Sequence, residues 1–216
     1  MKEFPDRGGR LPYRLWYEET EIEDIVAGEL ARAGHPRLPE SPATDVEAFL
    51  ELHLGLVPEY TWLPRGVLGA TEFTAKGETR VQISAELSDR AERDPRAATL
   101  LRSTVAHEAG HVLLHRILFL RESRALFGPG VATRTELCRS VTFTQPGYQG
   151  EWWEWQANRG MAALLLPRDA LTAWLADRER AEPGERVMAR RQAAAREFEV
   201  SADAVRRRLA QLGATA

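Results

Sequence analysis

The chain has 216 residues, 44% of them hydrophobic and 28% charged, with a formal net charge of −3. That length buries a core as one domain, or as one domain with a small appendage, and the mixed composition excludes a disordered or fibrous chain. The slightly acidic balance excludes a global attraction to nucleic acid, and the single cysteine, Cys138, excludes an internal disulfide framework and fits a reducing compartment.

Residues 1–20 read as a loose leader; the first 14 are polar and lack the apolar run of a signal peptide, so a cytoplasmic location is expected. Residues 21–33 put Ile22, Ile25, Val26 and Leu30 on one side of an amphipathic helix that stops at Gly34. Pro36, Pro39 and Pro42 make a stiff connection, and Thr44-Asp45 opens a short helix through Leu54, ended by Gly55. Two extended runs follow, 67–74 and 79–84, joined around Lys76-Gly77-Glu78. Val81 and Ile83 alternate with Arg80 and Gln82, as in a strand with one buried face. No apolar run reaches the length of a membrane span.

The next element carries the chemistry. Asp94-Pro95 is an N-cap followed by proline at the first helical position, and neither proline nor glycine interrupts the run until Gly110. Leu101, Val105, Val112 and Phe119 recur at core spacing, and His107 and His111 lie on the neighbouring stripe with Leu100, Thr104 and Leu118. Histidines four apart on a helix lean toward one point, where a divalent metal can bind about 2.0–2.1 Å from each ring nitrogen. Glu108 lies about 100° further round, poorly placed as a ligand but able to act as a general base toward a water on the metal's open side. A plain reading, a buried helix with hydrogen-bonded histidines, competes with this. His115 continues the face, yet its eight-residue spacing from His107 corresponds to about 12 Å of rise. That is too far for one metal, so His115 is expected to support a ligand or pack in the core.

Residues 121–150 give little periodicity: a candidate strand at 141–143, Cys138, and Tyr148, which could donate a hydrogen bond to a tetrahedral oxyanion. Cys138 is expected to have no role at the metal. Residues 151–167 then read as a helix on which Glu154, Asn158, Met161 and Leu165 share a face. A carboxylate on so apolar a helix calls for a cation facing it. Glu154 is therefore the leading third ligand, with Asn158 beside a ligand, and Glu151 is the rival one turn earlier. Residues 185–213 read as two helices joined near 198–201, with seven arginines against four acidic residues. Either a helix–turn–helix touching DNA phosphates through Arg206, Arg207 and Arg208 or a solvated hairpin packed on the core would look like this. With only Gln192 and Gln211 as accompanying readout residues, the hairpin is favoured.

On Thr104-Val105-Ala106-His107-Glu108-Ala109-Gly110-His111-Val112-Leu113-Leu114-His115 and Glu154-Trp155-Gln156-Ala157-Asn158-Arg159-Gly160-Met161-Ala162-Ala163-Leu164-Leu165-Leu166-Pro167, the chain resembles the ImmA/IrrE-type metallopeptidases. Weaker likeness extends to residues 66–71 and 200–213. The resemblance implies an α+β, zincin-like metallopeptidase core with a small antiparallel sheet over residues 21–180, and a helix–turn–helix-like segment over 181–216. It implies Zn²⁺ held by His107, His111 and Glu154, Glu108 as catalytic base, and endopeptidase action on a helix–turn–helix repressor in stress response or mobile-element control. By the same likeness the strand at 80–84 would border the cleft and pair with an extended substrate, an ordinary sheet strand being the equal alternative. Two departures stand out: Gly160 replaces the family's usual aromatic residue, and the stretch between the two helices is long. The rival function is a non-catalytic zinc-fold sensor or DNA-binding regulator, against which Glu108 argues, because a structural site needs no base.

Overall fold

The computed structural model describes residues 1–5, 13–38, 41–74, 78–124, 134–138 and 151–213. The expected leader contains two strands: β1 (Lys2–Pro5) pairs antiparallel with β2 (Tyr13–Trp16), and Leu15 is fully buried. Its polar residues hide this from a hydropathy reading, because a two-stranded ribbon needs few core side chains. Helix α1 (Glu19–Arg32) follows, opened by a capping box between Glu18 and Glu21, with Ile22, Val26 and Leu30 buried. The short helix expected after Thr44 is α2 (Val46–Ala48), capped by Asp45 and continued as a π-helical turn over Phe49–His53.

A four-stranded sheet follows, in the order β3-β5-β4-β6. Strands β4 (Gly69–Phe73) and β5 (Thr79–Ser84) form the hairpin that the alternation predicts. Two strands escape the sequence reading. β3 (Glu59–Thr61) pairs parallel with β5, and β6 (Arg134–Cys138) pairs antiparallel with β4. The sheet is therefore mixed rather than antiparallel: β4 lies between β3 and β5 in sequence and reverses the chain. β5 is also internal, since β4 takes one edge and β3 takes the other from Gln82 to Ser84. Pairing on both sides from Gln82 to Ser84 agrees with the ordinary sheet strand there, and β3 does not pair with Arg80 or Val81.

After α3 (Ala85–Ala91), helix α4 (Pro95–Arg124) crosses the molecule beside β4, with Phe73 stacked on Phe119 at 4.6 Å between ring centres. Helix α5 (Trp152–Leu165) packs along α4. The crossing is close because both helices present glycine. A Cβ on Gly110 would meet the Ala157 carbonyl oxygen at 2.7 Å, and one on Gly160 would meet the Gly110 Cα at 3.3 Å. Gly160 thus makes room for α4.

The chain ends in α6 (Arg168–Ala181), which the sequence reading did not single out, α7 (Val187–Glu197) and α8 (Ala202–Gln211). Ser201 caps α8, accepting from the Ala204 N–H at 3.0 Å. The last two helices belong to the common core: Ala194, Val205 and Leu209 join one hydrophobic cluster with residues of α1, α4 and α5. Arg206, Arg207 and Arg208 do not form a shared basic face. Arg208 is fully buried, held by Glu23 and donating from Nε to the Leu166 carbonyl at 2.9 Å. Arg206 and Arg207 both pair with Asp203, at 2.6 Å. The protein is mixed α and β, and no helix among the described residues is long and apolar enough to cross a membrane.

Candidate metal centre

His107 and His111 project from the middle of α4, where the helix is buried on all sides; they are 0% and 1% exposed. Their Nε2 atoms lie 3.1 Å apart. Glu154 reaches them from the first turn of α5, with Oε2 at 3.2 Å from His107 Nε2 and Oε1 at 3.4 Å from His111 Nε2. Among the described residues these three form a group able to hold a metal ion. Ligands about 2.0–2.1 Å from a tetrahedral ion stand about 3.3–3.4 Å from one another. The three separations match that edge length, and the donor set of two imidazoles and one carboxylate suits zinc or a neighbouring transition metal. Glu151, the rival donor, is exposed at the N-cap of α5.

Electrostatics point the same way. Burial alone would raise the Glu154 carboxyl, but its bonds to His107 and His111 and their charge outweigh burial and hold it well below the usual carboxylate range. Burial pushes His107 down, while Glu154, Glu108 and Asn158 together raise it above the ordinary histidine value. The carboxylate stays charged because it faces the two imidazoles, and a divalent cation held by the same three groups would favour the same charge.

The surroundings fix the ligands. Asn158 faces the His107 ring, and its Oδ1 and His107 Nδ1 are buried atoms for which no hydrogen-bond partner is found among the described residues. His111 Nδ1 lies 3.1 Å from His115 Nδ1, and the His115 ring stacks on Trp153 at 3.9 Å. His115 therefore touches a ligand rather than the metal position. Trp152, Trp153 and Trp155 are all buried, and Trp155 stacks on Trp16 at 5.2 Å. The tryptophans are the packing behind the histidines.

Glu108 is fully buried and stands apart from the three donors. Thr71 of β4 donates from Oγ1 to Glu108 Oε2 at 2.6 Å. On the other side Gly69 lies so close that a Cβ there would meet Glu108 Oε1 at 2.6 Å. The carboxylate is thus gripped by the strand, with its charge kept beside the metal position rather than on it. Thr71 and Gly69 are residues of the site that pattern reading does not pick out. Their sequence signal is the weaker family likeness over residues 66–71, which contains both.

Tyr148 and the candidate strand at 141–143 lie outside the described residues, and Cys138 is described only as the last backbone position of β6. Comparison with protein-family models and with curated proteins gives no match.

Proposed function

We propose that this chain is a zinc-dependent endopeptidase with a zincin-like core, acting in a reducing, cytoplasmic compartment. The observation that carries the reading is the pairing of a metal-ready His107, His111 and Glu154 group with a second, separately held carboxylate, Glu108. A structural site has no use for that second carboxylate. His107 and His111 through Nε2, and Glu154 through its carboxylate, would hold the ion. When bound, zinc polarises a peptide carbonyl and brings the pKa of a water molecule down toward about 7.

The remaining work falls to the chain's own groups. Glu108 takes the proton of the attacking water and delivers it to the nitrogen of the leaving amine. Thr71 holds the Glu108 carboxylate in place through both transfers, and the tryptophans behind the histidines keep water from the ligands' far sides. The substrate we propose is a helix–turn–helix repressor, on the strength of the resemblance to ImmA/IrrE-type metallopeptidases. The regulator reading is weakened by the arginines of α8, which are spent on Glu23 and Asp203.

Metal analysis and one substitution test this. Purified protein should carry about one zinc per chain, lost in His107→Ala and in His111→Ala. Glu108→Gln keeps shape and hydrogen bonding, so it should retain zinc and fold while losing proteolysis by several orders of magnitude. Cleavage by Glu108→Gln at near wild-type rate would sink the mechanism.

A further inference from the structure

A line of buried polar groups runs from His111 to the backbone of β2. His111 Nδ1 is 3.1 Å from His115 Nδ1, His115 Nε2 is 3.0 Å from Gln156 Oε1, and Gln156 Nε2 donates to the Leu15 carbonyl at 2.9 Å. His115, Gln156 and Leu15 are 0% exposed. Protein partners, not solvent, therefore decide where the protons of this line sit.

Its polarity is set at the far end. A backbone carbonyl only accepts, so Gln156 must turn its amide N–H to Leu15 and its carbonyl oxygen to His115. Reversing the amide would bring two acceptors to 2.9 Å. An oxygen acceptor in front of His115 Nε2 places that ring's proton there. In a neutral imidazole the other nitrogen is then an acceptor, so His115 Nδ1 receives a hydrogen bond from His111 Nδ1–H. His111 Nε2, the atom that converges with His107 Nε2 and Glu154, is then the ring nitrogen left to turn a lone pair to a metal. A doubly protonated His115 would reverse the last bond, at the cost of a net charge shut between Trp152 and Trp153.

We propose that Gln156 and His115, anchored on the Leu15 carbonyl, are positioning residues that keep His111 in the one tautomer able to ligate a metal through Nε2. The N-terminal hairpin thereby belongs to the metal centre, although it lies more than ninety residues from His111 in sequence. This inference rests on the metal-binding part of the proposed function and not on proteolysis.

The tautomers can be read directly, with neither metal nor substrate. Long-range proton–nitrogen NMR correlations on the full metal-free chain, with isotope-labelled histidines, should show the His111 proton on Nδ1 and the His115 proton on Nε2. A His111 Nδ1 without a proton, or a His115 proton on Nδ1, overturns the proposal without any variant having to fold. Zinc affinity, measured by competition with a chromophoric chelator, gives the second test. Gln156→Met keeps the volume and removes the acceptor; His115→Phe keeps the stack on Trp153 and removes both nitrogens. Each should bind zinc about 10–100-fold more weakly. The double variant should be no weaker than the worse single one, because the line acts as a unit. Wild-type affinity in Gln156→Met, or losses that simply add, would overturn it. Zinc bound with the expected tautomers but no proteolysis would end the peptidase reading and leave this one standing.

Discussion

Gly110→Ala tests whether the site depends on the closeness of α4 and α5. The new methyl would lie 2.7 Å from the Ala157 carbonyl oxygen and 3.3 Å from its Cα. Both are backbone atoms of α5, so no side chain can swing aside. Reaching an ordinary contact of 3.4 Å requires the helices to part by about 0.7 Å at this point. Overpacking of this kind costs about 1–3 kcal/mol, against a helix-propensity gain of about 1 kcal/mol for replacing glycine. The net loss should be up to about 2 kcal/mol, a fall in Tm of up to about 8 °C for a chain this size. Glu154 rides on α5 and its oxygens stand at 3.2 and 3.4 Å from the histidines, so the same parting should weaken zinc binding by about tenfold or more. Gly160→Ala makes the control. Its methyl meets the Gly110 Cα at 3.3 Å and the mobile end of Leu114 at 3.5 Å, so its steric cost should nearly cancel its propensity gain. Combined, the two substitutions should destabilise by more than their sum, because the second methyl faces the first. Thermal melts and chelator competition read both quantities. Wild-type melting and wild-type zinc affinity in Gly110→Ala would refute the close crossing, and with it the placement of Glu154.

Thr71→Val removes the hydroxyl that grips Glu108 and should lower kcat about tenfold or more with little change in KM, while Thr71→Ser should restore it; an unchanged kcat in the valine variant would make the hydrogen bond incidental. Arg208→Met leaves Glu23 half-buried without its partner and should cost about 3 kcal/mol in denaturant unfolding, while the double change with Glu23→Gln recovers part of the loss. Tyr60 is 41% exposed, and its partial burial together with its hydrogen bond to Glu47 at 2.6 Å holds it above the ordinary tyrosine pKa. Its stabilising contribution is complete below the ordinary tyrosine value and is lost as pH rises through the raised one. The phenolate absorbance of the folded chain should show a late-ionising tyrosine that is absent in Tyr60→Phe.

The metal motif was legible because its geometry is local. Residues four apart on a helix share a face whatever the rest of the chain does, so His107 and His111 could be paired from spacing alone. Glu154 against Glu151 was a choice between two turns of one helix. The apolar residues around Glu154 tipped it, and the inward rotation of α5 against α4 decides it in space. β3 and β6 were unreadable because each is short and lies beside a strand distant in sequence. Arg208 misled for a related reason. In sequence it is the last of three consecutive arginines, all equally able to face solvent. Only the packing of α8 turns it inward, where Glu23 and the Leu166 carbonyl make its burial tolerable.

What the sequence determined by itself was the helical framework and the two donors that one helix can present: α1, the run of α4 from Asp94, α5 and the capped α8 follow from periodicity and end signals. What only tertiary structure decided is everything that joins elements far apart in sequence. The hold of Thr71 on Glu108, the Gly110–Gly160 crossing and the line from His111 to Leu15 span 37, 50 and 96 residues. Side-chain periods are set by the backbone's own geometry and repeat along a few turns. Contacts between elements depend on the relative rotation and depth of two packed surfaces, which no local pattern encodes.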